Sequence, residues 1–206
     1  MMVSTMTYAG PVVKPARFTT EEILDAAAQA VHTHWRSATV AHVTALLGAP
    51  SGSIYHRFAS RDALFASAWV RAVGRFHAQF DDIREISDPV EAIVETGMLI
   101  PTFCRANPVD ARMLTVYRHR DLVAAPPAGL EDVLPDLNAP VGGLIAHLAE
   151  RRYGQVSRRS LEVTALAARD TPLGMVRTLL GEPIPIWLDN PIRAAIRAVA
   201  ELDLPH

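Results

Sequence analysis

Thr39 to Phe65 reads TVAHVTALLGAPSGSIYHRFASRDALF, and the order of these residues predicts two helices joined by a tight turn, followed by a third. Thr39 is a good N-cap. Val40, Val43 and Leu47 follow at i, i+3 and i+7, one face of a helix. Gly48 ends it, because glycine readily takes the positive φ that a helix stop requires. Pro50 to Arg57 fits a short second helix, since proline is tolerated in a first turn. Ile54 and Phe58 share its buried face. Ser60 caps the third helix. Its apolar positions fall in two adjacent rows spaced by four, Leu64, Ala68, Ala72, Phe76, Phe80 and Phe65, Trp69, Val73. Over about 21 residues that helix spans roughly 31 Å.

A helix, a glycine turn and a short helix form a helix-turn-helix unit. Such a unit needs a small residue where its helices cross, a role the spacing gives to Ala45. It also needs compact polar residues where base edges would be read, and Ser51, Gly52 and Ser53 open the short helix. The positive end of that helix's dipole points the same way, towards phosphate.

Upstream, Thr19 and Glu22 have capping-box spacing, with Phe18 and Ile23 placed as a hydrophobic staple. Ile23, Leu24, Ala27, Ala30 and Val31 then predict a first helix to about His34. Met1 to Arg17, with Gly10, Pro11 and Pro15, reads as a loose arm. Downstream, helices are expected near 89–106, 108–123, 130–153, 157–180 and 190–202. Pro101 and Pro172 should kink or split two of them. Asn190–Pro191 reads as a cap followed by proline at the first helical position. No period-2 strand run and no hairpin signal interrupts the pattern.

The chain has 206 residues and is 50% apolar, ample for a core and unlike a disordered chain. Cys104 is its one cysteine, which excludes an intramolecular disulfide framework and a Cys-rich zinc site. No apolar run reaches the roughly 18 residues of a membrane helix, and Met1–Arg17 lacks the layout of a signal peptide. A cytoplasmic location is expected. The formal charge of −2 argues at first against a nucleic-acid partner. It divides, however. Residues 1–78 carry seven basic groups against four acidic, +3, and residues 79–206 carry 13 against 18, −5. Lys14 is the single lysine, so arginine is almost the only cation available to phosphate.

Thr39–Phe65 resembles the DNA-binding segment of the TetR family of bacterial transcriptional regulators. The matching residues are Thr39, Gly48, Gly52-Ser53-Ile54-Tyr55-His56, Phe58, Ser60-Arg61 and Ala63-Leu64-Phe65. With the first helix, the resemblance covers a little under a third of the chain. Asp170 to Arg177, DTPLGMVR, is similar to a less specific signature of the family's later helices. The resemblance implies an all-α chain. A flexible arm (1–17) precedes a three-helix helix-turn-helix DNA-binding domain (18–59), joined by a long helix to a helical ligand-binding and dimerisation domain (60–206). By position, Tyr55, His56, Arg57 and Arg61 match phosphate contacts and Thr39 a phosphate-contacting cap. Ser51 and Ser53 match base-facing positions, Gly52 allows close approach, and Thr44 is a lesser match. The arm residues Lys14 and Arg17 are assigned to the minor groove. Two departures thin the direct readout. Pro50 stands where a polar residue is common, and Ala41 where some relatives carry an arginine.

The resemblance also implies a homodimer, because two recognition helices must meet successive major grooves about 34–36 Å apart. Segments 157–180 and 190–202 are the candidates. Leu161, Leu166, Leu173, Val176, Leu179 and Leu180 mark one; Ile192, Ile196, Val199 and Leu202 mark the other. Trp187 lies between them. The partners expected are double-stranded operator DNA and a small apolar effector, with Met98, Phe103, Met113, Tyr117, His147 and Met175 as candidate pocket residues. Ordinary core is the commoner role for each. Repression is the commoner mode of the family, while an activator and an effector-independent architectural protein stay open.

Enzymatic chemistry finds no constellation: there is no P-loop, G-x-S-x-G or H-E-x-x-H. His32 and His34 point about 200° apart on a helix and cannot share an ion. No cofactor, metal or catalytic residue is expected. Cys104 reads as a small buried hydrophobe.

Overall fold

The computed structural model describes residues 18–80, 83 and 85–204, and among them the secondary structure is helical throughout. Helix α1 (Thr20–His34) begins as its residues predict. Thr19 Oγ1 accepts from Glu22 N at 3.1 Å, and the Glu22 carboxylate accepts from Thr19 N at 2.7 Å. These bonds hold the Glu22 carboxyl below its ordinary pKa. Helix α2 (Val40–Leu47) ends at Gly48, whose φ of 61° is left-handed. Helix α3 is strictly Gly52–Tyr55. Bonds of the same kind run further, from Ser53 N donating to Pro50 O to Phe58 N donating to Ile54 O. Ser60 Oγ accepts from Ala63 N and starts α4 (Arg61–His77). This helix is about 26 Å long, shorter than the apolar rows predict; Phe80 lies beyond its end yet is buried.

The remaining helices are α5 (Pro89–Ala106), α6 (Pro108–Met113), α7 (His119–Ala124), α8 (Ala139–Tyr153), α9 (Arg158–Ala165), α10 (Thr171–Val176) and α11 (Asp189–Ala200). Several expectations need correction. Of the kink or split expected at Pro101, the split is absent: α5 is unbroken around the buried proline. The expected 108–123 helix breaks at residues 114–118. Residues 130–138 form turns rather than the start of α8, because Leu130 and Leu134 are drawn into the core beside α1 and α4. Around Pro172 the chain widens into a π-helical turn, Leu166–Asp170, in which Thr171 N donates to Leu166 O. Such a bulge absorbs the donor that proline lacks. Helix α11 begins at Asp189, before the Asn190–Pro191 pair. Ala45, expected inside the helix pair, is exposed.

Two hydrophobic clusters organise these helices. The first joins Ile23, Ala27 and Val31 of α1, Val43, Ile54 and Phe58 of the helix-turn-helix, and Leu64, Phe65 and Trp69 of α4. It also takes in Met113, Leu122, Leu130 and Leu134 from far along the chain. The second centres on α5: Ile93, Met98 and Phe103 meet Leu144 and Leu148 of α8 and Ile192 and Ile196 of α11. Helix α4 serves both, since its last turns bring Phe76 edge-to-face with Phe80 and Phe103, ring centres 5.5 and 5.3 Å apart. Arg75 reinforces the junction, reaching Asp25 of α1 at 3.4 Å and the buried Asp110 of α6 at 3.3 Å.

Helices α5 and α11 touch closely. Glu91 pairs with Arg193 and Arg197, and Arg105 with Asp189 at 2.6 Å, at opposite ends of an apolar seam. At the seam a Cβ on Gly97 would lie 2.6 Å from Ile196 Cδ1. Ile196 is itself fully buried and has little space to yield. Gly97→Val is expected to destabilise the protein by about 1–3 kcal/mol through overpacking. Urea unfolding measures this, and an unchanged midpoint would show that the helices can separate freely.

Candidate functional site

One end of the molecule carries the helix-turn-helix with its polar residues turned outward. Thr39 is exposed and forms a second capping box, donating its N–H to His42 Nδ1 at 3.3 Å and accepting His42 N on its hydroxyl. The His42 ring stacks on His34, centroids 3.8 Å apart, which ties the start of α2 to the end of α1. That contact has no short-range signal in the sequence. Ser51, Gly52 and His56 are exposed, Ser53 is half-buried, and Tyr55 is 53% exposed. No other residue approaches within 4 Å of where a Gly52 Cβ would lie, and its φ is not positive. Nothing inside the chain therefore requires glycine there, although glycine in a helix costs about 0.5–1 kcal/mol relative to alanine.

Three other residues of the segment are engaged internally. Thr44 Oγ1 donates to Ala41 O at 3.0 Å. Arg57 Nη2 donates to Phe18 O at 2.5 Å, joining the end of the unit to the start of α1. Arg61 donates through Nε and Nη2 to Ala38 O at 3.3 and 2.8 Å, pairs with Asp62 at 3.0 Å and lies over the Phe65 ring. Arg61 thus ties α4 to the strand of chain entering α2. Lys14 and Arg17 lie outside the described residues.

Between the end of α4, helix α8 and the α9–π turn segment lies a cleft of about 810 Å³. Val73, Phe76, Ile145 and Leu161 give it apolar walls. His77, Glu162, Arg169 and Asp170 supply polar groups, and Arg169 Nε donates to Asp170 at 2.7 Å. None of the six residues chosen from the sequence lines this cleft. Met98, Phe103 and Met113 are buried in the two cores. Tyr117 lines a different groove. His147 and Met175 are half-buried elsewhere. Residue type favoured methionines and aromatics, whereas the π turn and the last turns of α4 decide which side chains face the space.

Burial holds the His77 imidazole below its ordinary pKa. A histidine kept neutral in the fold leaves stability intact above the unfolded value of about 6.5. As pH falls below that value the unfolded chain takes up the proton first, so stability declines until the folded-state pKa is passed. His77→Gln should flatten the dependence of the urea midpoint between about pH 7 and pH 5. An equally steep profile in the variant would assign the effect to another group.

Cys104 is buried and burial pushes its thiol up to about 11, so it stays protonated and unreactive at neutral pH. Val176, Ile192 and Ile196, expected to mark a contact surface, lie inside the chain's own core. Leu166, Leu173, Trp187 and Leu202 are exposed. Among the described residues no helix is long and apolar enough to cross a membrane, and no group of three His, Cys, Asp or Glu is placed to hold a metal ion.

An all-helical chain with a capped helix-turn-helix at one end and a helical body enclosing a cleft has the fold of TetR-like transcriptional regulators. A transcriptional regulator from Rhodococcus sp. Rha1 superposes with a TM-score of 0.66 at 17% identity, over 89% of this chain and 94% of that one. The ketosteroid transcriptional regulator KstR2 of Mycobacterium tuberculosis also superposes with a TM-score of 0.66, at 19% identity, over 93% of this chain and 96% of that one. At such identities the likeness is one of fold. Neither a family model nor a curated protein sequence matches the chain.

Proposed function

We propose that the protein is a transcriptional regulator that binds a two-fold symmetric operator as a homodimer, and is a repressor released by a small, largely apolar effector. The observation that carries this is the outward face of the helix-turn-helix. Ser51, Gly52, Ser53 and Tyr55 present compact polar groups around a glycine that no internal contact requires. An external surface approaching that point supplies the missing reason. Residues 18–59 form the reader in this proposal, residues 60–206 the effector-binding and dimerising body, and residues 1–17 an arm over the minor groove.

Tyr55 and His56 are exposed and free to reach phosphate, and Thr39 is exposed too. The bonds that Arg57 and Arg61 make at home give them a second task, holding the reader on α1 and α4. The effector enters the cleft of about 810 Å³, whose walls include Val73, Phe76 and His77 of α4. Because Phe65 and Trp69 of the same helix belong to the reader's core, a ligand that favours one tilt of α4 shifts the population of DNA-competent dimers. Decisive release takes a differential affinity of several kcal/mol between the two states.

A nuclease footprint on the DNA upstream of the protein's own gene tests the proposal. A protected site with two-fold symmetry supports it. Protection that is sequence-blind and lost steeply with salt would replace it with an architectural role. Tyr55→Phe is expected to weaken binding to all sequences alike, by about 1 kcal/mol for one lost hydrogen bond. A change in base preference at constant affinity would reassign Tyr55 to readout.

A further inference from the structure

A second groove, of about 1080 Å³, lies between the α1–α2 connection, the α6–α7 connection and the segment after α10. We propose that it binds a planar aromatic anion: a ring system carrying a carboxylate, sulfonate or phosphate. It is separate from the cleft described above, since Leu114 alone lines both.

The charge on its walls is unlike the rest of the molecule. Elsewhere most arginines are matched by acids, as Arg71, Arg75, Arg105, Arg193 and Arg197 are, or bond backbone carbonyls, as Arg57 and Arg151 do. Here four guanidiniums, Arg36, Arg112, Arg118 and Arg177, line one space. Arg36, Arg118 and Arg177 form no ion pair among the described residues. Arg112 is held by Glu182 at 2.5 Å. The lining carboxylate, Asp121, pairs with Arg120 at 3.4 Å. Four guanidiniums against the carboxylates of Glu182 and Asp121 leave the groove with a surplus of positive charge, which an anion bound there offsets.

An aromatic wall accompanies the charge. Trp35 is 44% exposed, and its indole Nε1 donates to Thr115 Oγ1 at 2.9 Å, which fixes the ring. The guanidiniums of Arg36 and Arg112 lie 5.3 and 5.9 Å from the ring centre. Both guanidiniums lie over the indole ring, so an aromatic anion that displaces one of them from the ring face keeps that cation beside its charged substituent. Tyr117, Leu173 and Leu180 complete the apolar lining.

The backbone is built around this arrangement. Trp35 has φ 48° and ψ −126°, the one non-glycine with positive φ among the described residues. Strained conformations of this kind concentrate at ligand sites. Next to the lining residue Leu180, Gly181 has φ 86°, and a Cβ there would lie 2.3 Å from Arg112 Nε. Glycine is needed so that Arg112 can pass, and Arg112 Nε is itself buried with no partner.

Isothermal titration calorimetry on the full chain tests the assignment with three probes: naphthalene-2-sulfonate, the neutral naphthalene-2-methanol, and methanesulfonate, which has the charge without the ring. The sulfonate with the ring should bind at least about tenfold more tightly than either of the others. The double variant Arg118→Gln/Arg177→Gln, with both changes on exposed side chains, should lose about tenfold of that affinity at an unchanged unfolding midpoint. Trp35→Leu should lose a similar factor, and if it fails to fold the arginine variant decides. Equal binding of the neutral probe, or undiminished binding by the arginine variant, overturns the proposal. So does an arginine variant that keeps probe affinity and loses DNA affinity, which would make the groove part of a DNA surface. A failed footprint bears on the regulator proposal and leaves this test unaffected.

Discussion

Gly52→Glu is expected to lower affinity for the footprinted DNA by a hundredfold or more while leaving the fold intact. The glycine is exposed, and open space surrounds the position of its Cβ. A Cβ there meets no other part of the chain, and residues other than proline suit a helix better than glycine does. Thermal unfolding should be unchanged or slightly raised. If α3 faces DNA, however, the new carboxylate stands against phosphates and base edges. Unfavourable like-charge contacts of that kind cost several kcal/mol, and about 2.7 kcal/mol is already a factor of a hundred. Electrophoretic mobility shift at fixed salt, paired with a melting curve, separates the two effects. Unimpaired DNA binding by a folded Gly52→Glu protein would remove α3 from the interface. Gly52→Ala is the milder companion, and a graded loss from Ala to Glu distinguishes close approach from charge.

Phe65→Ala is expected to have the largest effect on stability, about 3–5 kcal/mol. Phe65 is 1% exposed, among the largest fully buried side chains, and sits in the cluster that unites the helix-turn-helix with α1 and α4. The Arg61 guanidinium lies over its ring at 5.0 Å, so truncation also removes the surface on which Arg61 rests while it bonds Ala38 O. The loss therefore exceeds a simple cavity. Urea unfolding should show a much lower midpoint, and Phe65→Leu should recover most of it because the volume is largely restored. A loss below about 1 kcal/mol in Phe65→Ala would mean that the first cluster relaxes to fill the space.

The two substitutions bear on residues whose roles differed in legibility. The glycine turn, the caps at Thr19, Thr39 and Ser60, and the buried face of Ile54 and Phe58 all follow from neighbours three or four positions apart. Such interactions depend only on local backbone geometry, so they stand in the structure as their spacing predicts. The later helices were harder to bound. Residues 130–138 are read as a helix start, yet Pro135 interrupts them, the Asn138–Pro140 signal starts α8 only at Ala139, and burial of Leu130 and Leu134 holds the turns in place. Pro172 signals a break, but not that a π turn would carry the chain through it.

The sequence by itself determined the all-helical class, the helix-turn-helix and its outward Ser51–Gly52–Ser53 edge. Each rests on hydrogen bonds and periodicities within a single turn or two. The tertiary structure alone decided that Arg57 and Arg61 bond the backbone of distant segments, and that α4 and the π turn enclose the cleft. It alone gathered Arg36, Arg112, Arg118 and Arg177 around Trp35. They come from three segments of chain tens of residues apart, up to 141 between Arg36 and Arg177. They meet only because burial of the two apolar clusters folds their segments together, a global balance that no local pattern of side chains encodes.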